Sequence, residues 1–131
     1  MYNVKLEAMP TFNDIDMNPT YNRALDFAVR IVRLSKYLQE EKHEYIMSKQ
    51  LLRSGTSIGA NYSEAYGAES TEDFIHKCAI AQKESNETKY WLTLLYRTEV
   101  LSDEEYGSII SDCQTLRAIL ATIIQKCKQK K

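Results

Sequence analysis

Glycine and proline are scarce in this chain, which has 4 glycines and 2 prolines among 131 residues. Both prolines, Pro10 and Pro19, lie in the first 19 residues, so the rest of the sequence has few residues that demand a turn. This absence excludes a fold built from many short strands and favours an all-α protein. A chain of this length can close one hydrophobic core without metal or disulfide support, and it is too short for two domains.

The cysteines and histidines do not form a recognisable ligand pattern. The 3 cysteines, Cys78, Cys113 and Cys127, are odd in number and lack C-x-x-C spacing. We interpret them as buried apolar residues in a reducing cytosol. The chain supplies neither an H-E-x-x-H motif nor the two Glu-x-x-His pairs of a di-metal bundle. We therefore predict no metal, no cofactor, no small-molecule substrate and no enzymatic activity.

The charge and hydropathy of the sequence do not indicate a location outside the cytoplasm. The formal net charge is -1, so no long-range positive field would attract the molecule to nucleic acid or to anionic lipid. No apolar run approaches the ~20 residues of a membrane span. The opening residues lack the basic-then-apolar order of a signal peptide. We expect a cytoplasmic protein that does not engage a membrane.

Four long helices are predicted from apolar periodicity and capping residues. Asn18-Pro19 is a helix start, and the first helix is predicted over 19–40. The second is predicted from about Lys42 to Tyr66, with Gly67 ending it. The third opens at Ser70 and runs to about Thr98. The fourth opens with the capping box Ser102-Asp103-Glu104-Glu105 and continues through about 127.

The short connections between these helices predict their arrangement. Each helix must run antiparallel to the one before it, so we predict an up-down-up-down antiparallel four-helix bundle over residues 19–131. Residues 1–18 are predicted to be an extended or disordered N-terminal arm.

The apolar residues of the first helix predict which side faces the core. The inner stripe is predicted to contain Tyr21, Ala24, Leu25, Ala28, Ile31, Val32, Ser35 and Leu38. Several other apolar side chains fall off the inner stripes of the first and third helices, and they favour a homo-oligomer: Phe27, Leu34, Tyr37, Ile80, Trp91 and Leu94. The alternative is a core-facing stripe wide enough to bury them.

The stretch "LLRSGTSIGANYSEA", residues 51–65, places small residues at helical spacing. It does not match the phosphate-binding pattern G-x-x-x-x-G-K-[ST]. Small residues recur every four positions at Gly55, Gly59, Ser63 and Gly67, which makes one low ridge along a helix. Because a mid-helix glycine costs roughly 1 kcal/mol relative to alanine, we predict that a neighbouring helix packs closely against this ridge.

A polar seam is predicted on the flank of the helix opposite that ridge, from residues that share this flank or meet it across a turn: Arg53, Ser57, Asn61, Glu64, Glu84 and Arg117. Antiparallel pairing of the second and third helices sets Arg53 against Glu84. The same reasoning across the next turn brings Arg117 towards Glu84. We predict an ion cluster of these three residues. The alternative is that the side chains extend to solvent at the bundle edge.

Two sets of basic residues are candidates for nucleic-acid contact: Arg23, Arg30 and Arg33 with Tyr37 for stacking, and Lys126, Lys128, Lys130 and Lys131. Repetition around an oligomer would make a modest patch multivalent. The alternative is ordinary solubility, because acidic residues interrupt the first set and lysines near a helix C-terminus complement the helix dipole.

The motifs resemble those of a known family. The resemblance lies in Arg53-Ser54, Ser57-Ile58, Asn61, Glu64-Ala65, Asp73-Phe74, Ile80-Ala81, Ser85 and Glu87, and it spans about residues 20–127. The chain resembles the "four helix bundle protein" family encoded by intervening sequences in bacterial 23S rRNA genes. It departs from the usual Asn-Ile-Ala-Glu-Gly, having Asn-Tyr-Ser-Glu-Ala at 61–65.

The resemblance implies a small bacterial bundle that assembles into a ring, with five subunits as the expected size. Such a bundle is similar to the accessory variability protein of diversity-generating retroelements, and these relatives are associated with RNA and with a reverse transcriptase. We therefore predict a non-enzymatic oligomeric scaffold that engages a protein or ribonucleoprotein partner. The alternative is an RNA-binding protein that uses a basic patch repeated around the oligomer.

Overall fold

Four helices make up nearly all of the structure, a computed structural model that describes residues 15–129. They are α1 (Pro19–Glu40), α2 (Met47–Tyr66), α3 (Thr71–Arg97) and α4 (Asp103–Gln129), and a short 3-10 helix, Ile15–Met17, precedes α1. Consecutive helices pack against each other, and α1 also contacts α4. No strand is present among the described residues. The predicted all-α class and the four helices are confirmed.

Three of the predicted helix starts coincide with side-chain caps. Asn18 Oδ1 accepts from the backbone N of Tyr21 at 3.0 Å, ahead of Pro19. Ser70 Oγ accepts from the backbone N of Asp73 at 3.0 Å. The Ser102–Glu105 capping box is reciprocal, with distances of 2.8 Å and 3.1 Å. Each cap satisfies backbone N–H groups that the first helical turn leaves unpaired.

The second helix begins at Met47, five residues after the predicted start. His43 has a φ of 55°, a left-handed conformation that interrupts any helix through this stretch. Glu44 then caps α2 with both carboxylate oxygens: Oε2 accepts from Met47 N at 3.0 Å and Oε1 accepts from Ser48 N at 2.7 Å. The sequence prediction overlooked Glu44 because glutamate is not a typical capping residue.

The predicted N-terminal arm is described only at its end. Residues 15–17 form one 3-10 turn, and that part of the arm is not extended. The backbone N of Asn18 donates to the carbonyl of Ile15 at 2.9 Å, which connects this turn to the cap of α1. Residues 1–14, like Lys130 and Lys131, lie outside the described residues.

The core contains Ala24, Ile31, Ser35 and Leu38 of the predicted inner stripe of α1, but two other members of that stripe face outward. Leu25 and Val32 were predicted to face inward, but they are 47% and 38% exposed, whereas Phe27 is 2% exposed and belongs to the core. Phe27 lines a cleft with Leu116 of α4. Because α1 packs against both α2 and α4, the side of α1 that bears Phe27 is buried and the side that bears Leu25 faces outward.

The other apolar side chains predicted off the inner stripes do not form an exposed surface. Leu34, Tyr37 and Trp91 are half-buried and pack against the core, and Ile80 and Leu94 are half-buried as well. The wide core-facing stripe, kept as the alternative, therefore explains this set.

Gly55 is the point of closest approach between α1 and α2. A Cβ atom built there would lie 2.8 Å from both Cγ1 and Cγ2 of Ile31, which is fully buried. Ile31 is β-branched and stiff at χ1, so it cannot easily move aside. The backbones of α1 and α2 therefore lie close together at this position.

The remaining members of the predicted ridge are less constrained. A Cβ at Gly59 would lie 3.4 Å from Ala24 Cβ, which is nearly an ordinary contact. Ser63 is exposed, and a Cβ at Gly67 would meet only the carbonyl oxygen of Glu64, at 3.8 Å. For these two residues the ridge prediction is wrong, because α1 crosses α2 near Gly55 and Gly59 and does not follow the ridge to its end.

Gly55→Ala should therefore lower the free energy of unfolding by about 1–2 kcal/mol, since overpacking outweighs the gain in helix propensity. Gly59→Ala is the matched control and should leave stability unchanged or raise it by up to about 1 kcal/mol. Urea denaturation followed by circular dichroism measures both. Equal effects of the two substitutions would contradict the close approach at Gly55.

Candidate functional site

A polar seam joins the outer sides of α2 and α3. Arg53 Nη1 lies 3.3 Å from Glu84 Oε1, and Arg53 Nη2 pairs with Glu87 Oε2. Trp91 Nε1 donates to the same Glu87 oxygen at 3.0 Å. The predicted pairing of Arg53 with Glu84 is present, and the third charged member is Glu87. One guanidinium thus bridges two carboxylates one turn apart on α3.

The remaining predicted seam residues of α2 serve the helix itself or a different pair. Ser57 Oγ donates to the carbonyl of Arg53 at 2.6 Å, and Asn61 Nδ2 donates to the carbonyl of Ser57 at 2.9 Å. Glu64 Oε1 pairs with Lys77 Nζ of α3 at 3.0 Å. The seam therefore contains two separate ion-pair groups that hold α2 to α3 along its length.

Arg117 does not join the predicted cluster. Its Nε atom is buried without a hydrogen-bond partner, and within residues 15–129 its side chain forms no ion pair. The error is one of helix face. Glu84 lies on the side of α3 that meets α2, whereas the neighbouring Ser85 carbonyl accepts from Cys113 Sγ of α4 at 3.4 Å. A residue of α4 such as Arg117 therefore approaches the opposite side of α3.

The seam shifts the acid–base equilibria of its own members. The hydrogen bond from Trp91, followed by that from Arg53, lowers the pKa of Glu87. The hydrogen bond to Glu87 in turn raises the pKa of Arg53. Both shifts favour the charged forms that pair, as expected for a structural ion pair. In a catalytic acid or base, the pKa would instead be shifted towards neutral pH.

The basic residues of α1 are partly engaged inside the protein. Arg30 pairs with Asp112 of α4, and its Nη2 donates to Ser108 Oγ at 2.8 Å. Tyr37 is half-buried against the core, and its ring lies 5.9 Å from Lys42 Nζ. Arg23 lines a cleft with two aspartates, Asp26 and Asp112. Acidic neighbours therefore divide this predicted patch.

The second predicted basic set lies at the end of α4. Lys126 and Lys128 are exposed and occupy the last turn of the helix, where positive charge complements the helix dipole. This set is well separated along α4 from Asp112, the residue that pairs with Arg30. The structure does not bring the two predicted sets into one continuous surface through the described residues.

An uncovered apolar stripe runs along the outside of α1. We call Leu25, Val29 and Val32 the outer α1 face; they are 47%, 41% and 38% exposed. Their spacing of four and three residues places them on one side of the helix. Apolar residues exposed singly are common, but three in a row on one helix face are typical of a contact surface.

The described residues show no site for a metal ion and no membrane segment. Within residues 15–129, no group of three histidine, cysteine, aspartate or glutamate side chains could hold a metal. In the same range, no helix contains an apolar stretch long enough to cross a bilayer. Cys78 and Cys113 are buried free thiols, and burial raises the pKa of each to about 11. Such thiols are poor nucleophiles.

Sequence reasoning missed three kinds of residue at these surfaces. Glu87 was detectable, because Glu87 and Trp91 are four residues apart on a helix and can hydrogen bond. Val29 was overlooked and Leu25 and Val32 were assigned inward, because the helix rotation depends on how α1 packs against two partners. Asp112, which pairs with Arg30 across 82 positions, left no local signal.

The fold and these surfaces define a small all-α bundle protein, and the comparisons place it more closely. The family model described as 23S rRNA-intervening sequence protein matches residues 17–122. This chain is similar to a protein with unknown function from the S23 ribosomal protein family of Bacteroides thetaiotaomicron, for which there is a crystal structure. The two sequences are 54% identical, and the two structures superpose with a TM-score of 0.80. The match covers 80% of this chain and 97% of that chain.

The chain therefore belongs to the 23S rRNA-intervening sequence protein family. The family resemblance based on the α2 and α3 motifs is confirmed. Among curated proteins, none matches this chain.

The seam yields a prediction about pH. Because the pKa of Glu87 is lowered in the folded state, its contribution to stability is present above the pKa of unfolded glutamate, near 4.3. That contribution is lost as pH falls through the lower, folded-state pKa. Glu87→Gln should therefore destabilise the protein at pH 7 and have less effect at pH 3. Urea denaturation at the two pH values measures the difference.

Glu69→Gln, on an exposed position after α2, is the matched control and should have a small effect at both pH values. If Glu87→Gln cost as much at pH 3 as at pH 7, the charge of Glu87 would not be what stabilises the seam.

Proposed function

We propose that this protein is a non-enzymatic, self-associating helical scaffold of the cytoplasm. The observation that carries the proposal is the outer α1 face, whose three aliphatic side chains are each more than a third exposed. Covering such a face with another protein removes apolar surface from water, at roughly 25 cal/mol per Å². Self-association is the simplest way to cover this face, because a second copy of the chain is always present at the same concentration as the first.

The described surfaces supply little that suggests catalysis. The ion pairs of the polar seam hold α2 to α3, and the tuned groups favour their charged, paired forms. The two buried thiols have raised pKa values. These features support a protein that acts by binding other molecules through its surface. We propose that its external partner is a protein or a ribonucleoprotein. A ring of five subunits is the assembly that the family resemblance implies.

RNA binding is the second candidate function. Arg33 and the terminal lysines Lys126 and Lys128 are exposed cations, and repetition in an oligomer would raise their combined affinity. The family's link to intervening sequences of 23S rRNA genes favours this candidate, as does the similarity to accessory variability proteins that the sequence motifs predict. The pairing of Arg30 with Asp112 and the net charge of -1 count against it.

The native particle should have a mass that is a multiple of 15.2 kDa, and five times that mass for the implied ring. Val29→Glu should convert the particle to monomers while helicity is retained, because a carboxylate cannot be covered by an apolar surface without a partner. Ala118→Glu, on an exposed position of α4, is the matched control and should leave the mass unchanged. Sedimentation velocity and circular dichroism measure mass and helicity.

A wild-type particle of 15.2 kDa at every concentration would contradict the scaffold proposal. The second candidate is measured separately, by binding to structured RNA at increasing salt. Phosphate contacts would make that affinity fall steeply with salt, and no measurable binding at low salt would exclude it.

A further inference from the structure

The connections α1–α2 and α3–α4 lie at one end of the bundle, residues 40–46 and 97–105, which we call the connection end. Tyr45, Ile46 and Val100 line a cleft of about 440 Å³ there. Tyr45 is 50% exposed, and Ile46, at 78%, is the most exposed large apolar residue among residues 15–129. Ile46 precedes α2 and contributes nothing to its buried stripe. Large apolar side chains held in water beside a cleft are typical of a binding surface.

Carboxylates are concentrated at the connection end. It contains two basic residues, Lys42 and Arg97, and seven acidic ones: Glu40, Glu41, Glu44, Glu99, Asp103, Glu104 and Glu105. Glu44 and Glu105 cap helices, and Asp103 accepts from the Tyr96 hydroxyl at 2.7 Å. The other four acidic residues are exposed, and with residues 15–129 they form no ion pair and no side-chain hydrogen bond. One of these four, Glu99, lines the cleft itself.

Glu99 occupies a backbone position that glycine would fill more easily. Its φ is 66°, its N donates to the carbonyl of Tyr96 at 3.0 Å, and Val100 N donates to the carbonyl of Leu95 at 2.9 Å. This is the Schellman ending of a helix, in which the left-handed residue is usually glycine. His43, with a φ of 55°, lines the same cleft. Both side chains are therefore present at the cleft at some cost to the stability of the fold.

The chemistry of the cleft specifies what would fill it. A large apolar side chain would cover Ile46 and Val100, and lysines or arginines beside it would meet the unpaired carboxylates. The Tyr45 hydroxyl lies 3.2 Å from Nδ1 of His43, within hydrogen-bond distance, so its ring is held at the cleft where a cation can contact its face. Phosphates of RNA and the same end of a second copy would both be repelled by the carboxylates.

We propose that the cleft of the connection end binds a basic segment of another protein, anchored by one large apolar side chain. This inference rests on the proposed function, to which it adds the chemistry of the external protein partner. The cleft is separate from the outer α1 face, since its lining residues come from the two connections. Assembly through α1 and binding at the cleft can therefore be measured independently.

Selection from a display library of short random peptides, on the native full-length particle, tests the partner chemistry. We expect the enriched peptides to carry a large apolar residue beside lysines or arginines. The most enriched peptide, once synthesised, should bind more weakly as ionic strength rises from about 50 to about 300 mM, because salt screens exposed charges. Enrichment of acidic peptides, or of none, would overturn the proposal.

Substitutions at the cleft test its location, with fluorescence anisotropy of the labelled peptide as the measurement. Ile46→Ser should weaken binding about tenfold through lost apolar burial. Glu99→Lys should weaken it about fivefold through charge reversal. Tyr90→Ser and Glu69→Lys, on exposed positions away from the cleft, are the matched controls and should bind as wild type does. Unchanged binding by both cleft variants, with helicity retained, would overturn the proposal.

Glu99→Gly separates a binding role from a structural one. Glycine relieves the left-handed backbone, so the melting temperature should rise by about 2–5 °C. Loss of the carboxylate should at the same time weaken peptide binding about threefold. A more stable variant that binds the peptide as tightly as wild type would contradict the proposed role of the carboxylate. Differential scanning calorimetry and fluorescence anisotropy measure the two effects.

The outcomes distinguish this inference from the scaffold proposal. An assembled particle that selects no basic peptide would overturn the inference alone. A chain that stays monomeric but binds the peptide through Ile46 would overturn self-association alone. Protection of Ile46 from hydroxyl radicals in the particle without peptide would show that a second copy covers the cleft, and this too would overturn the inference.

Discussion

The close approach of α1 to α2 at Gly55 is the contact on which the outer surface of the protein depends. Ile31 occupies the space where any other residue at position 55 would place its Cβ atom, at 2.8 Å from two of its carbons. This contact fixes the rotation of α1 about its own axis. With Ile31 turned towards α2 and Phe27 buried in the core, the side of α1 that bears Leu25, Val29 and Val32 is left exposed by the helices within residues 15–129.

The polar seam complements this contact from the other side of α2. Arg53 bridges Glu84 and Glu87, and Lys77 pairs with Glu64. Ion pairs therefore join α2 to α3, whereas close side-chain packing joins α2 to α1. Inside the bundle, Thr88 Oγ1 donates to Ser54 Oγ at 3.0 Å, which satisfies both hydroxyls without water. The helix against which α1 packs is therefore held by contacts on two sides.

The sequence predicted what local patterns determine and missed what depends on three-dimensional packing. Caps at Asn18, Ser70 and Ser102 identified three helix starts, because capping chemistry is local. The register between α2 and α3 placed Arg53 against Glu84, because the connecting turn is short. The same reasoning failed for Arg117, since register gives the height of a residue along a helix and not the face on which it lies.

The rotation of α1 was the most consequential error. Aliphatic residues occupy more than half of its circumference, so periodicity alone could not say whether Leu25 or Phe27 faces the core. The structure resolves that ambiguity through Gly55, and the residues it turns outward are those that the proposed assembly uses. The small-residue motif therefore has a consequence beyond helix packing, because it determines which apolar side chains remain available to a second copy.

The central claim is that the outer α1 face is covered in the native particle. Hydroxyl-radical footprinting with mass spectrometry measures this directly, residue by residue, on the assembled wild-type protein. We expect Leu25, Val29 and Val32 to be strongly protected relative to the exposed Ile46 and Tyr90. Oxidation of the three aliphatic side chains in proportion to the exposure they have in the single chain would contradict it.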